Sequence, residues 1–185
     1  CLLSAKEMAD PIIATIGDAT NSDYSVKAYA NDILTGNYTD SAKNLVRAML
    51  NYGAYAQVHF GYNTENLAAE LGDISSVTED SLSGYASTSV GTDKAKFVGC
   101  SLILESETTL RFFFEVAEGA TLTVDGYEVN TRGDYYYVDV TNISAKDLDT
   151  VQTLTVSDGT NEETVSASAL TYCYNVLSNE SDFNA

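Results

Sequence analysis

His59 is the one histidine of the chain, so any Ser-His-Asp or Cys-His arrangement would have to be built on it. Such chemistry needs the imidazole within hydrogen-bond reach of a nucleophile and oriented by a third group. No G-x-S-x-G, H-E-x-x-H, phosphate-loop or G-x-G-x-x-G pattern is present to supply either. His59 therefore reads as a residue near a helix end, where an imidazole suits the negative pole of the helix dipole. Glu105 and Glu107 invite a glycosidase reading, one carboxyl as acid and one as base or nucleophile. The chain has no tryptophan to hold a sugar ring, and neighbouring carboxylates at a strand end read as solvated charges. The three cysteines, Cys1, Cys100 and Cys173, are odd in number and lack C-x-x-C spacing, which argues against a zinc site or a disulfide framework. The loops Asp18 to Asp23 and Asp158 to Glu163 gather oxygen ligands of the kind calcium takes, but in the residue types of ordinary turns and without the EF-hand register. The expectation is no catalytic residue, no metal ligand and no cofactor.

Recognition has two candidate surfaces. Asn44, Arg47, Asn51, Tyr55 and Val58 fall by the 3.6 period on one side of a helix, a nearly uncharged face with one Arg and one Tyr, the types that anchor protein interfaces. Its plainer use is as a solvated face or as the contact with a neighbouring repeat. On the strand Tyr135 to Val140, alternation sends Tyr136, Val138 and Val140 one way and Tyr135, Tyr137 and Asp139 the other. Tyr135 and Tyr137 could stack a sugar or grip a protein; as common strand formers they could equally cover the sheet.

The elements that carry these residues are signalled locally. Ser25 caps a helix with a Val26, Tyr29, Ala30, Ile33, Leu34 stripe that Gly36 ends. Thr39 caps a second, with Ala42, Leu45, Val46, Met49, Gly53, Ala56 and Phe60 along its apolar face and Gly61 closing it. Together they make a helical hairpin. From Leu82 to Ala167 the pattern is β: strands are expected at Ala95 to Leu104, Thr109 to Val116, Thr121 to Val124, Tyr127 to Asn130, Tyr135 to Val140, Val151 to Val156 and Glu163 to Ala167. Asp125-Gly126 signals a hairpin between the third and fourth. Seven short strands suggest an immunoglobulin-like sandwich, with the turn at Ser144 crossing between sheets. The fold class expected is α+β, an antiparallel immunoglobulin-like β-sandwich with an α-helical hairpin. The divisions are 1–63, a strand plus the helical hairpin; 64–81, a linker or polar helix; 82–167, the sandwich; and 168–185, the start of a second, truncated hairpin.

Acidic residues outnumber basic ones by 27 to 9, for a net charge of −18, so no basic patch offers a footprint for nucleic acid or anionic lipid. Hydrophobic residues are 44 % and charged ones 19 %, the balance of a folded domain and not of an acidic tail. No apolar run approaches the roughly 20 residues of a membrane span. Cys1-Leu2-Leu3 passes at once into Ser4-Ala-Lys-Glu7, as a processed protein or an excised fragment would.

The chain also repeats itself. Ser4-Ala-Lys-Glu-Met8 returns 140 positions later as Ser144-Ala-Lys-Asp-Leu148, and seven of the 18 positions from Ser4 to Asn21 are identical to Ser144 to Asn161. After a three-residue insertion, Ser25, Tyr29 and Leu34 fall on Ser168, Tyr172 and Leu177. This predicts a tandem array of which the chain spans about one and a third copies. Each copy is read as a capped turn, a strand (Pro11 to Ile16, Val151 to Val156), a polar turn (Asp18 to Asp23, Asp158 to Glu163) and a helix. Pro11 to Ile16 is expected to add to an edge of the sandwich. The stripe Ala169, Tyr172, Cys173, Val176, Leu177 needs a partner, expected in the helix that ends at Phe60.

The stretches Ser25 to Leu34, Asn44 to Tyr62 (NLVRAMLNYGAYAQVHFGY), Ser106 to Val116 (SETTLRFFFEV) and Asn142 to Asp149 together resemble a repeat module of large secreted, cell-wall-associated proteins of Gram-positive gut clostridia. The resemblance implies attachment or binding without enzymatic activity, and it assigns no functional residue. The expected function is a secreted or cell-wall-associated, non-catalytic binding module. It would recognise a host extracellular protein, superantigen-like immunoglobulin capture being one specific form, with a glycan-binding module or a passive spacer as alternatives. The expected partners are that host protein or glycan and neighbouring repeats, with no nucleic acid and no membrane insertion.

Overall fold

Side-chain caps fix where the first two helices begin. The Ser25 hydroxyl accepts the Ala28 N–H at 2.9 Å and opens α1 (Val26–Thr35); the Thr39 hydroxyl accepts the Ala42 N–H at 3.3 Å and opens α2 (Asp40–Phe60). Gly61 ends α2 at φ 58°, a left-handed turn that a side chain would resist, and returns its N–H to the Val58 carbonyl at 3.1 Å. The computed structural model describes residues 3–105 and 107–178; Cys1, Ser106 and the 179–185 end of the expected second hairpin lie outside the described residues. Two compact units divide the chain, Cys1–Ile74 and Ser75–Ala185.

The first unit starts with a 3-10 turn (Ala5–Glu7), in which the Glu7 carboxylate accepts both the Ser4 N–H at 2.8 Å and the Ser4 hydroxyl at 2.7 Å. A hairpin of β1 (Ile12–Ile16) and β2 (Ala19–Tyr24) follows, then α1 and α2. The strand expected to join the sandwich thus pairs with β2, in a two-stranded sheet of its own. The reason is a tighter turn than the sequence suggested. Gly17 takes φ 60°, so the reversal is finished by Asp18, and β2 runs extended through residues 19–23, expected to belong to a polar turn.

Ala30, Val46, Leu50, Ala54 and Ala68 form the core of this unit, with Met8, Ile33, Leu34, Leu67 and Ala69 packed against it. The buried side of α2 is Val46, Leu50, Gly53, Ala54 and Gln57, rotated from the expected stripe, while Leu45 and Phe60 are exposed. Gly53 explains part of that rotation: a Cβ there would sit 2.8 Å from the Met8 sulfur and 3.1 Å from the Ala5 carbonyl, so glycine admits the N-terminal turn onto α2. Residues 63–72, of which 64–72 are read from sequence as part of a linker or polar helix, lie instead along α2 as an irregular strap with Ala68 in the core. In 64–81 the only helix is the start of α3 (Glu79–Leu82).

The second unit holds α3, β3 (Ala95–Leu104), β4 (Thr108–Val116), β5 (Thr123–Val124), β6 (Asn130–Arg132), β7 (Tyr135–Val140), β8 (Gln152–Ser157), β9 (Glu162–Ala167) and α4 (Ala169–Ser178). One sheet has the order β3-β4-β7-β6 and the other β5-β8-β9, every pair antiparallel. The alternation of β4 and β7 places Leu110, Phe112, Phe114, Val138 and Val140 inward, where they meet Leu154, Val156, Val165 and Ala167 of the other sheet in one cluster. The 3-10 turn Ala145–Asp147 carries the chain from β7 to β8, and so from one sheet to the other, as expected of the Ser144 turn. Asp125-Gly126 does reverse the chain, with the Tyr127 N–H on the Val124 carbonyl and an antiparallel bridge between these two residues, but the pairing goes no further, and β5 and β6 separate into different sheets.

The free side of β9 is shielded by hydroxyls: Ser87 donates to the Ser166 carbonyl at 2.7 Å and Ser89 accepts the Ser166 N–H at 2.8 Å. Tyr172, for which the sequence reading sought a partner on the second helix, finds one in the core of its own unit. Cys100 and Cys173 are free thiols, and burial, with Cys173 nearby, pushes Cys100 up to about 12. Among the described residues the architecture is mixed, four helices and nine strands in antiparallel sheets, an α+β protein. No described helix is long and apolar enough to cross a membrane. Phe112 is fully buried between the sheets, so Phe112→Ala should destabilise the second unit by about 3–5 kcal/mol. Urea unfolding followed by circular dichroism measures it, and a loss below about 1 kcal/mol would place the core elsewhere.

Candidate functional site

The five α2 residues singled out by sequence divide into two groups. Asn44, Arg47 and Val58 are exposed, and Arg47 Nη1 donates to Asn44 Oδ1 at 2.9 Å, holding the guanidinium along the helix. Asn51 and Tyr55 are half-buried because they fasten the strap: the Gly72 N–H donates to Asn51 Oδ1 at 2.8 Å, and the Tyr55 hydroxyl donates to the Gly72 carbonyl at 2.6 Å. The strap therefore stands beside α2, and a cleft of about 450 Å³ opens between them. Leu34, Ala48, Leu50 and Ala69 give it an apolar floor, with Arg47, Asn51 and Glu70 at its edges.

Gln57 holds the first half of the strap, and sequence reasoning passed over it. Its side chain is wholly buried. Nε2 donates to the carbonyls of Asn63 at 3.1 Å and Asn66 at 3.0 Å, and Oε1 accepts the Ala68 N–H at 2.7 Å. Both amide protons and the carbonyl are used, so three of the strap's backbone groups are paired without secondary structure. The available signal was Gln57 three residues after Ala54 and four after Gly53, a polar residue on an otherwise small and apolar face. Two further pairs tie the strap's start and its middle to the rest of the unit. Tyr62 donates to Asp10 at 2.5 Å, a bond that raises the Tyr62 pKa, and Lys27 Nζ donates to the Leu67 carbonyl at 2.6 Å.

On β7, Tyr135 and Tyr137 do share a side with Asp139, but the surface is already in use. Arg111 of β4 gives Nε and Nη2 to the two Asp139 oxygens at 2.7 and 2.8 Å, and its guanidinium carbon lies 3.8 Å from the centre of the Tyr137 ring. Both tyrosines also meet Phe113, at ring separations of 6.3 and 6.2 Å. The carboxylate holds the Arg111 pKa above its usual value. A sugar stacking on that face of Tyr137 would have to displace an ion pair.

His59 is exposed and edge-on to Phe60. Glu105 and Glu107 are exposed in the turn between β3 and β4. Asp158 is buried and turned into its own loop, with Oδ1 accepting the N–H groups of Thr160 and Asn161 at 2.8 Å each, the arrangement of an Asx turn. Those bonds, the Asn161 N–H foremost, hold its carboxyl well below the usual carboxylate range. Among the described residues no group of three His, Cys, Asp or Glu converges as a metal site.

No family model, curated protein or solved structure matches the chain.

Gln57→Leu keeps the volume but leaves the Ala68 N–H and two carbonyls without partners, so the first unit should lose about 2–3 kcal/mol in urea unfolding. Retained stability would mean the strap holds itself. For Asp158, whose native pKa is depressed, the stabilisation is fully present above the unfolded value of about 3.9 and is lost as pH falls through the lower native value. The melting temperature of Asp158→Asn should accordingly lie below that of the unsubstituted protein at pH 7, and the gap should close as pH drops from about 4 towards 2. A gap independent of pH would contradict the loop's charge dependence.

Proposed function

We propose that the chain is a non-catalytic binding module of a secreted or cell-wall-associated bacterial repeat protein, recognising a host extracellular protein through the cleft between α2 and its strap. The observation that carries this is the cleft itself: an apolar floor of about 450 Å³ with Arg47 at the edge, on the helix face that already had interface-type residues. Such a floor takes an aliphatic or aromatic side chain of a partner, while Arg47 is placed for a carboxylate or carbonyl beside it.

The displaced pKa values of the chain go with packing. Glu7, Tyr62, Arg111, Asp158, Cys100 and Cys173 have displaced pKa values, and none of them lines the cleft. Each displacement has a packing cause: a turn, a hydrogen bond, an ion pair or burial. A catalytic site would gather such groups where a substrate could reach them. The Arg111 ion pair over Tyr137 weighs against the glycan alternative. The strand order supports an immunoglobulin-like sandwich for the second unit: first, second, fifth and fourth strands in one sheet, with third, sixth and seventh in the other, is that of a constant-type immunoglobulin domain. The repeated sequence supports membership of an array, as the resemblance to clostridial surface repeats implies.

Host immunoglobulin is the first partner to try. In biolayer interferometry the full chain should bind it, and Arg47→Ala should weaken binding about tenfold or more, roughly 1.4 kcal/mol. Tyr135→Ala should leave it unchanged. Binding to oligosaccharides that is lost in Tyr135→Ala and kept in Arg47→Ala would replace this reading with the glycan one.

A further inference from the structure

The chain holds the same run of elements twice, and the two runs differ in what covers them. In the first, a 3-10 turn at Ala5–Glu7 leads to β1, β2 and α1; in the second, a 3-10 turn at Ala145–Asp147 leads to β8, β9 and α4. The duplicated sequence aligns Ala14 and Ile16 with Leu154 and Val156, Tyr24 with Ala167, and Tyr29 with Tyr172. In the second run these positions are core: Val156 is 0 % exposed and Ala167 2 %, Leu154 is buried, and Tyr172 packs against the same cluster. In the first run they face water: Ile16 is 84 % exposed, Tyr24 54 %, and Ala14 and Tyr29 are exposed too.

Hydrogen bonding differs in the same way. β8 is a central strand, paired with β9 on one side and on the other with β5, through Thr123 to Ser157 and Val124 to Val156. Among the described residues β1 pairs with β2 alone, in a two-stranded sheet that leaves its other edge unused. An isolated two-stranded hairpin is marginal in water, and an exposed strand edge with an apolar face is a template for another strand. We infer that β1 and β2 are the closing pair of a second two-sheet body. Their partner is a five-strand segment of the β3 to β7 type, joined ahead of Ser4 as Ile143 is joined to Ser144. One of its strands occupies the free edge of β1, and its opposite sheet covers Ala14, Ile16, Tyr24 and Tyr29. This goes beyond the binding reading and does not rest on the cleft.

The test places residues 75–143 ahead of Ser4 in the full chain and follows amide hydrogen exchange of residues 12–24. A companion fusion carrying Ala14→Leu and Tyr24→Ala restores the two side chains that β8 and β9 use. In at least one fusion, exchange at 12–24 should slow about 100-fold against the unextended chain, and adding Ile16→Asp should abolish that protection. In the unextended chain Ile16→Asp should leave the melting temperature unchanged. Exchange at 12–24 that stays fast in both fusions, or protection that survives Ile16→Asp, overturns the inference. So does protection that appears in the unextended chain as its concentration rises, since it would assign the face to a second copy.

Discussion

Three hydrogen bonds from one buried amide hold the first unit in its shape. A stretch of some ten residues with no helix or strand of its own can lie against an apolar helix only if its peptide groups are paired. Gln57 supplies three of those pairs from within the core, to Asn63, Asn66 and Ala68. Once the strap is held there, Asn51 and Tyr55 can close on Gly72, and the gap left between strap and helix is the cleft beside Arg47. The surface proposed for recognition is thus a consequence of a core interaction two turns further along the same helix.

The second unit reaches stability by a different route. Its strands alternate cleanly, so two antiparallel sheets can bury one face each in a common cluster, while charged and aromatic residues settle the outer face. On that face Arg111 satisfies Asp139 and covers Tyr137 at once, using three side chains from adjacent strands. This is how a sheet stabilises its solvent side through cross-strand pairs. It also covers one face of Tyr137, one of the two rings that sequence alone offers to a sugar. The hairpin of β1 and β2 shows the other side of the same rule: the pattern that is buried in β8 and β9 is present, but nothing in its own unit buries it.

Much of the fold was legible because its signals are local. Ser25 and Thr39 as caps, Gly61 as a stop and the alternation of Tyr135 to Val140 all depend on a few neighbouring residues, and all appear where expected. The failures share a cause, which is dependence on distant partners. The buried side of α2 is set by Met8 packing at Gly53 and by the strap at Gln57, neither of which the 3.6 period can report. Asp125-Gly126 makes its turn, yet the strands on either side join different sheets because β6 finds β7. Of the candidate site, Arg47 and Asn44 could be read from the helix pattern. That Asn51 and Tyr55 face a strap, and that Tyr137 lies under Arg111, could not.

The central claim is that recognition occurs where Gln57 has placed the strap against α2. An amide chemical-shift map of the isotope-labelled full chain, titrated with host immunoglobulin, tests it most directly. The account predicts shifts concentrated at residues 44–51 and 69–72. Shifts centred on Arg111 and residues 135–139, or none at saturating partner, would contradict it.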